Sequence, residues 1–257
     1  MPRAEGRTAP RRPGRLGAVA LASLLAGLAV GGYLSGWLQV PPRIDPLAAL
    51  DVAEPPNWLT PFKMRRARAD PAQCLATLRE AGLRFSRVPD RPLAQGCGLD
   101  NAVRLEAGQS VQLSRPTVLS CRAALSFALW ERHDLQAAAQ AALGQRVTRV
   151  EHLGSHVCRD ISTGDGRATG RRSRHATADA LDVGGFLLAD GRRIQVLREA
   201  PQPWDDAQAL QRDPVARFLH GAHAGACRRF DGTLGPGYNR AHRDHFHLEV
   251  GGWPLCR

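Results

Sequence analysis

The sequence predicts an α+β fold stapled by disulfides, and three observations carry that prediction. Two apolar runs, Leu181 to Leu188 and Arg192 to Leu197, flank Ala189-Asp190-Gly191, which is hairpin chemistry. A final strand is legible over residues 245–250, and helical stretches with defined ends occur elsewhere. Six cysteines are dispersed along the chain with no C-x-x-C pair, which argues against a zinc ribbon or a thioredoxin-like motif. Composition agrees: 43% hydrophobic and 23% charged residues describe a globular protein, and 26 glycines with 18 prolines describe a loop-rich one rather than a helical bundle.

Taken in order, residues 1–15 form a basic N-terminus with five arginines. Leu16 to Val40 then runs without a charged side chain, long enough to span a bilayer and longer than the apolar core of most cleaved signals. Tyr33 and Trp37 near its end suit an interfacial belt, and the arginines before it place the N-terminus in the cytoplasm. The expectation is a single-pass inner-membrane anchor with the C-terminal domain in the periplasm. A cleaved signal with release to the periplasm is the alternative. Residues 41–69, with six prolines, read as a linker, so the domain is expected over 70–257.

Within it, Asp70-Pro71 starts a helix to about Ala81, with Gly82 as its stop. Residues 83–88 read as a strand, 89–101 as turns around Cys97, and 110–120 as extended. Arg122 to Leu143 is the longest helical stretch, ended by Gly144. Val147 to Leu153 alternates like a strand, and 162–174 reads as a surface loop. Asp213-Pro214 starts another helix to about Ala222, and 231–241 is a glycine-rich loop.

Net charge is +11, and residues 41–257 alone keep +7, so the domain itself is basic. Such a surface suits anionic lipid or an anionic wall polymer; the export segment speaks against nucleic acid. Behind an export segment, Cys74, Cys97, Cys121, Cys158, Cys227 and Cys256 read as three disulfides, with free buried thiols as the alternative. Neighbour pairing gives 74–97, 121–158 and 227–256.

Two segments carry chemistry. In His242-Arg-Asp244-His245-Phe-His247-Leu-Glu249, His245 and His247 stand two apart in a strand and so share a face. They make either a metal pocket or an exposed histidine-rich edge. In Ser173-Arg-His175-Ala-Thr-Ala178-Asp-Ala180-Leu-Asp182, the acid opens an apolar run, where a carboxylate needs a compensating partner such as a cation. The alternative is a turn or cap role for Asp182, with His175 in a loop.

In order and spacing, the two segments together resemble the zinc peptidases that include lysostaphin-type enzymes, D-Ala-D-Ala carboxypeptidases and murein endopeptidases, a fold shared with the N-terminal domain of hedgehog proteins. The resemblance is closest to bacterial proteins with an extensin-like C-terminal domain. It covers about residues 70–257 and includes the Gly154-Ser155-His156-Val157-Cys158-Arg159 stretch. It implies a small antiparallel sheet with flanking helices and one zinc ion per chain on His175, Asp182 and His247, with an open fourth position. It also implies hydrolysis of peptidoglycan peptide stems. The catalytic base of the carboxypeptidase branch is a Glu where this chain has Asp244. The endopeptidase branch has histidines where this chain has His245 and His242. Asp244 is therefore expected as the base, with His245 assisting and His242 as a further catalytic candidate. Arg159 stands where related enzymes hold a substrate-contacting arginine, and a surface salt bridge is its other reading. Ala178 stands where the pattern usually has Gly.

Overall fold

The structure, a computed structural model, describes residues 15–162 and 168–257. The basic segment 1–14 and residues 163–167 of the expected surface loop lie outside the described residues. The chain divides into two compact units, residues 1–46 and 47–257.

In the first unit, α1 (Arg15–Leu34) has no acidic or basic residue in its end turns apart from its first residue. Its window Gly17–Leu34 has a mean hydropathy of 1.8, and the helix is long and apolar enough to cross a membrane. It ends at Leu34, short of the apolar run's end at Val40, where Gly36 (φ +76°) turns the chain.

The second unit begins well before residue 70. The segment expected to be a linker contains α2 (Thr60–Ala69), which buries Met64 and Ala67, and Leu50 and Val52 join the same core. Four basic residues in ten hide the short apolar stripe of α2 from a reading by periodicity. α3 (Pro71–Glu80) follows as expected, with Asp70 accepting from the amides of Ala72 (2.9 Å) and Gln73 (3.0 Å). Then come β1 (Arg84–Arg87), β2 (Arg91–Ala94), β3 (Cys97–Leu99), β4 (Ala102–Ala107) and β5 (Gln112–Ser120).

The long helix is present as α4 (Cys121–Leu129), a π-helical segment (Trp130–Leu135) and α5 (Gln136–Leu143). Gly144 caps it in the left-handed region (φ +64°). The remaining elements are β6 (Val147–Gly154), β7 (Asp160–Ser162), β8 (Ala168–Arg172), β9 (Ala180–Leu188), β10 (Arg193–Gln195), α6 (Val196–Glu199), α7 (Ala207–Arg212), α8 (Pro214–Cys227), β11 (Gly232–Leu234), β12 (Phe246–Glu249) and β13 (Leu255–Cys256). So the expected loops at 162–174 and 231–241 hold short strands, and α8 runs one turn past Ala222.

The architecture is mixed α+β, but the sheet is neither small nor purely antiparallel. Among the described residues it has nine strands in the order β1-β4-β5-β6-β9-β12-β11-β13, with β10 also on β9. The pairs β5–β6 and β11–β13 are parallel. Helices α4, α5 and α8 and the π segment pack together on the core, where Trp130, Phe127, Phe186, Phe218 and Phe246 are fully buried. The Trp130 indole donates to the Ala222 carbonyl (2.9 Å), and Phe186 meets Phe218 edge-on at 5.1 Å.

One irregularity decides which residues face away from that core. Leu181 and Val183 are core residues, and so are Phe186 and Leu188, a change of parity along one strand. The β6–β9 register skips Gly184: Glu151 pairs Gly185 while His152 pairs Val183. That extra residue is a bulge, and it lets both halves of β9 bury their apolar side chains. Asp182 consequently points to the face opposite Leu181 and Val183. On β12, Phe246 and Leu248 are core residues, so His247 and Glu249 share that other face.

The disulfides are Cys74–Cys121, Cys97–Cys158 and Cys227–Cys256. Only the last matches neighbour pairing. Cys74 lies on α3, which packs on α4, where Cys121 is the first residue; Cys97 lies on β3 and meets Cys158 in the segment after β6. Packing of elements, rather than proximity along the chain, sets the partners.

Candidate metal centre

Asp182 and His247 are directly paired residues on adjacent antiparallel strands, so their side chains are neighbours on one face. His175 reaches them from a 3₁₀ turn (Arg174–Thr177) that lies over this face. The three converge. His247 Nδ1 is 2.9 Å from Asp182 Oδ1, and His175 Nε2 is 3.2 Å from both Asp182 Oδ1 and His247 Nδ1. One ligand atom from each lies within 4.8 Å of the others, and all three side chains are nearly or wholly buried.

The back of each imidazole is tied down. His175 Nδ1 donates to the Ser155 carbonyl (2.9 Å), and His247 Nε2 donates to Glu249 (2.9 Å). Those bonds set which nitrogen of each ring faces Asp182: Nε2 of His175 and Nδ1 of His247. Two nitrogen lone pairs and a carboxylate aimed at one point are the donor set of a divalent metal such as zinc, so the residues fit the ion. A second cluster, His223, Cys227 and Cys256, does not fit one, because its cysteines are joined to each other.

The other expected site residues stand around this group at different depths. His245 Nε2 is 3.5 Å from Asp182 Oδ1, and its Nδ1 is 2.8 Å from Asp244 Oδ1. Asp244 is outermost, with a side chain 43% exposed against 12% for His245. His242 donates from Nδ1 to Asn239 (2.7 Å), and its ring lies 5.3 Å from that of His245 and 5.8 Å from that of His247. Burial, helped by the neighbouring His247 and His245, lowers its pKa to about 4, so it is neutral at pH 7. Arg159 is exposed and lines a cleft of about 450 Å³ that opens onto His175 and Asp182.

The turn carrying His175 is clamped by a buried acid. Asp179 accepts from Ser120 Oγ (2.6 Å), from Arg122 through Nε (2.7 Å) and Nη2 (2.5 Å), and from Thr177 Oγ1 (2.6 Å). The Ser120 amide donates to the Ala178 carbonyl (2.8 Å), and the Val250 amide donates to that of Asp179 (2.9 Å). Ala178 closes the turn at φ 56°, the left-handed region where a glycine would be at ease. That conformation costs a side chain about 1–2 kcal/mol. Burying its methyl against Leu99 and Ala102 returns about 0.8 kcal/mol, so alanine is tolerated.

Residues 72–257, most of the chain, match the family described as Extensin-like protein C-terminus. The chain belongs to that family. No curated protein and no solved structure matches it. The match begins inside α3, so α2 and the segment before it lie outside the matched residues.

Several functional contacts of this extensin-like domain escape a reading of the sequence. Glu249 was accessible in principle, since H-x-H-x-E puts positions 245, 247 and 249 on one strand face. The Ser155 carbonyl and the Asp179 clamp left no such signal, because both depend on strands brought together from distant segments.

Proposed function

We propose that this domain is a zinc-dependent peptidase that cleaves peptide stems or cross-links of peptidoglycan outside the inner membrane. The observation that carries the reading is the convergence of His175, Asp182 and His247, with both imidazoles fixed from behind. Zinc on these three groups would keep an open position, polarise a scissile carbonyl and make water more acidic.

The chain's own residues supply the rest. The Asp244 carboxylate accepts the Nδ1 proton of His245, which turns the Nε2 lone pair toward Asp182. From there His245 can take a proton from the attacking water and return it to the leaving amine. The sequence alone favoured Asp244 as the base. Its carboxylate lies behind His245 and is more exposed than that ring, so we assign Asp244 the task of orienting the ring and His245 that of moving the proton. Neutral His242 adds a lone pair at Nε2 to the same rim. Arg159 is free to grip a carboxylate or carbonyl of the substrate.

The setting supports the same reading. Three disulfides suit an oxidising compartment, the basic domain suits an anionic polymer, and α1, which begins on the last of five arginines, suits an anchor with its N-terminus in the cytoplasm. Full-length protein in detergent should carry about one zinc per chain and release peptide fragments from purified sacculi. Asp244→Asn should keep its zinc and lose about 10–100-fold in kcat, the usual cost of removing a group that orients a catalytic ring. Zinc retained with no cleavage of any wall peptide would instead make this a wall-binding domain.

A further inference from the structure

We infer that the substrate runs through the site on both sides of the cut bond, with a second binding arm in the cleft between Leu153, Leu197 and Arg198. This deepens the peptidase reading and rests on it. It makes the reaction the opening of a cross-link, not the trimming of a terminal residue.

Two clefts lie beside the candidate metal centre, and only the first is lined by its candidate ligands. The first, about 450 Å³, reaches His175 and Asp182, and Arg104 and Arg159 stand in it. The second, about 380 Å³, reaches Asp244 and contains Leu197 and Arg198. Arg115, His152 and Leu153 line both, so these three residues form the divider between two adjoining lobes.

The divider is held in place. The Arg115 guanidinium donates to the Leu153 carbonyl (2.7 Å), and His152 Nε2 bonds the Arg115 carbonyl (2.8 Å). Leu153 lies over Gly184, where a Cβ would come within 3.0 Å of its side chain. The glycine of the β9 bulge therefore leaves the Leu153 side chain room to lie against the strand.

Both lobes have the same chemical character. Arg104 and Arg159 make the first basic. In the second, Arg193 is held by Glu151 (2.7 Å), while exposed Arg198 stands beside exposed Leu197. An enzyme that trims chain ends needs one closed side with a charge for the terminal carboxylate. Here each lobe offers a cation and apolar surface, which would match a peptide strand with carboxylates on both sides of the scissile amide.

The test compares purified cross-linked dimeric muropeptides with single pentapeptide stems, using the full-length protein. The expected result is cleavage of dimers with single stems left intact. Arg198→Glu should raise KM for dimers about tenfold, with kcat and bound zinc unchanged, because a reversed charge at the rim repels the same carboxylate. Shortening of single stems while dimers persist would overturn the inference and leave the peptidase reading standing. So would a wild-type KM in Arg198→Glu. Zinc-loaded protein that hydrolyses neither substrate would overturn both.

Discussion

In the His175→Ala protein, bound zinc is expected to fall to a trace and the proposed cleavage of wall peptides to background. Removing one of three ligands weakens the site by more than about a hundredfold, since changes behind the ligands alone cost 10–100-fold. His245 Nε2 stands 3.5 Å from Asp182 Oδ1, and drawing it in as a substitute ligand would take it from the proton transfer assigned to it, so cleavage is lost either way. Metal analysis after gel filtration, alongside a muropeptide digest, checks the result; a full complement of zinc in the variant would remove His175 from the site.

The same site in its metal-free form should hold a proton. Burial alone would lower the pKa of His247, but the Asp182 and Glu249 carboxylates outweigh it and raise the value from 6.5 to about 9. Burial also opposes ionisation of Asp182, and hydrogen bonds from His175 and His247 overcome that and hold it below the usual carboxylate range. At pH 7 His247 is therefore cationic beside an ionised Asp182. Because folding raises the histidine pKa and lowers that of Asp182, this pair stabilises the metal-free fold fully between about pH 3.8 and 6.5, loses that contribution as pH rises through 9, and loses it again in acid as Asp182 takes up a proton. Zinc must displace that proton, so uptake at pH 7 should release about one proton per ion. Calorimetry in two buffers of different ionisation enthalpy reads that number directly.

Asp179→Ala should lower the melting temperature by roughly 6–12 °C, the equivalent of about 3 kcal/mol in a domain of this size. The carboxylate is wholly buried and takes four side-chain hydrogen bonds, two of them from one guanidinium. Removing it strands Ser120 and Thr177 and leaves the Arg122 cation without its partner. Arg122 is half exposed and can turn to water, which keeps the cost below that of a fully buried pair. Asp179→Asn keeps the shape and should lose about half as much. Because Asp179 anchors the turn that carries His175, Asp179→Ala should also weaken zinc binding, whereas a change confined to stability would leave affinity untouched.

Much of the site was legible because strand periodicity is a local property. H-x-H-x-E and F-x-L-x-V interleave on β12, and that alone puts the histidines opposite the core. The caps at Asp70 and Asp213, the stop at Gly144 and the turn at Ala189-Asp190-Gly191 are local too, and each lies where expected. The side on which Asp182 emerges was not legible, since it depends on a bulge at Gly184 that exists only against β6. The size of the sheet was hidden because five of its strands have four residues or fewer, too short to show a period. The role of Asp244 turned on one hydrogen bond between adjacent residues, and residue type and spacing do not encode that direction.

The order of the cysteines has a consequence for survival among proteases. The spans 74–121 and 97–158 overlap, so a single backbone cut anywhere from residue 75 to residue 157 leaves both pieces covalently joined. Pairing of 74 with 97 and 121 with 158 would have left the chain between 98 and 120 unprotected. Most of β4 and β5 lies there, and with it the strand that carries Arg104 and the one that carries Arg115. As folded, a nick in that stretch opens the chain without releasing either wall of the groove. The break would become visible only on a gel run with reductant.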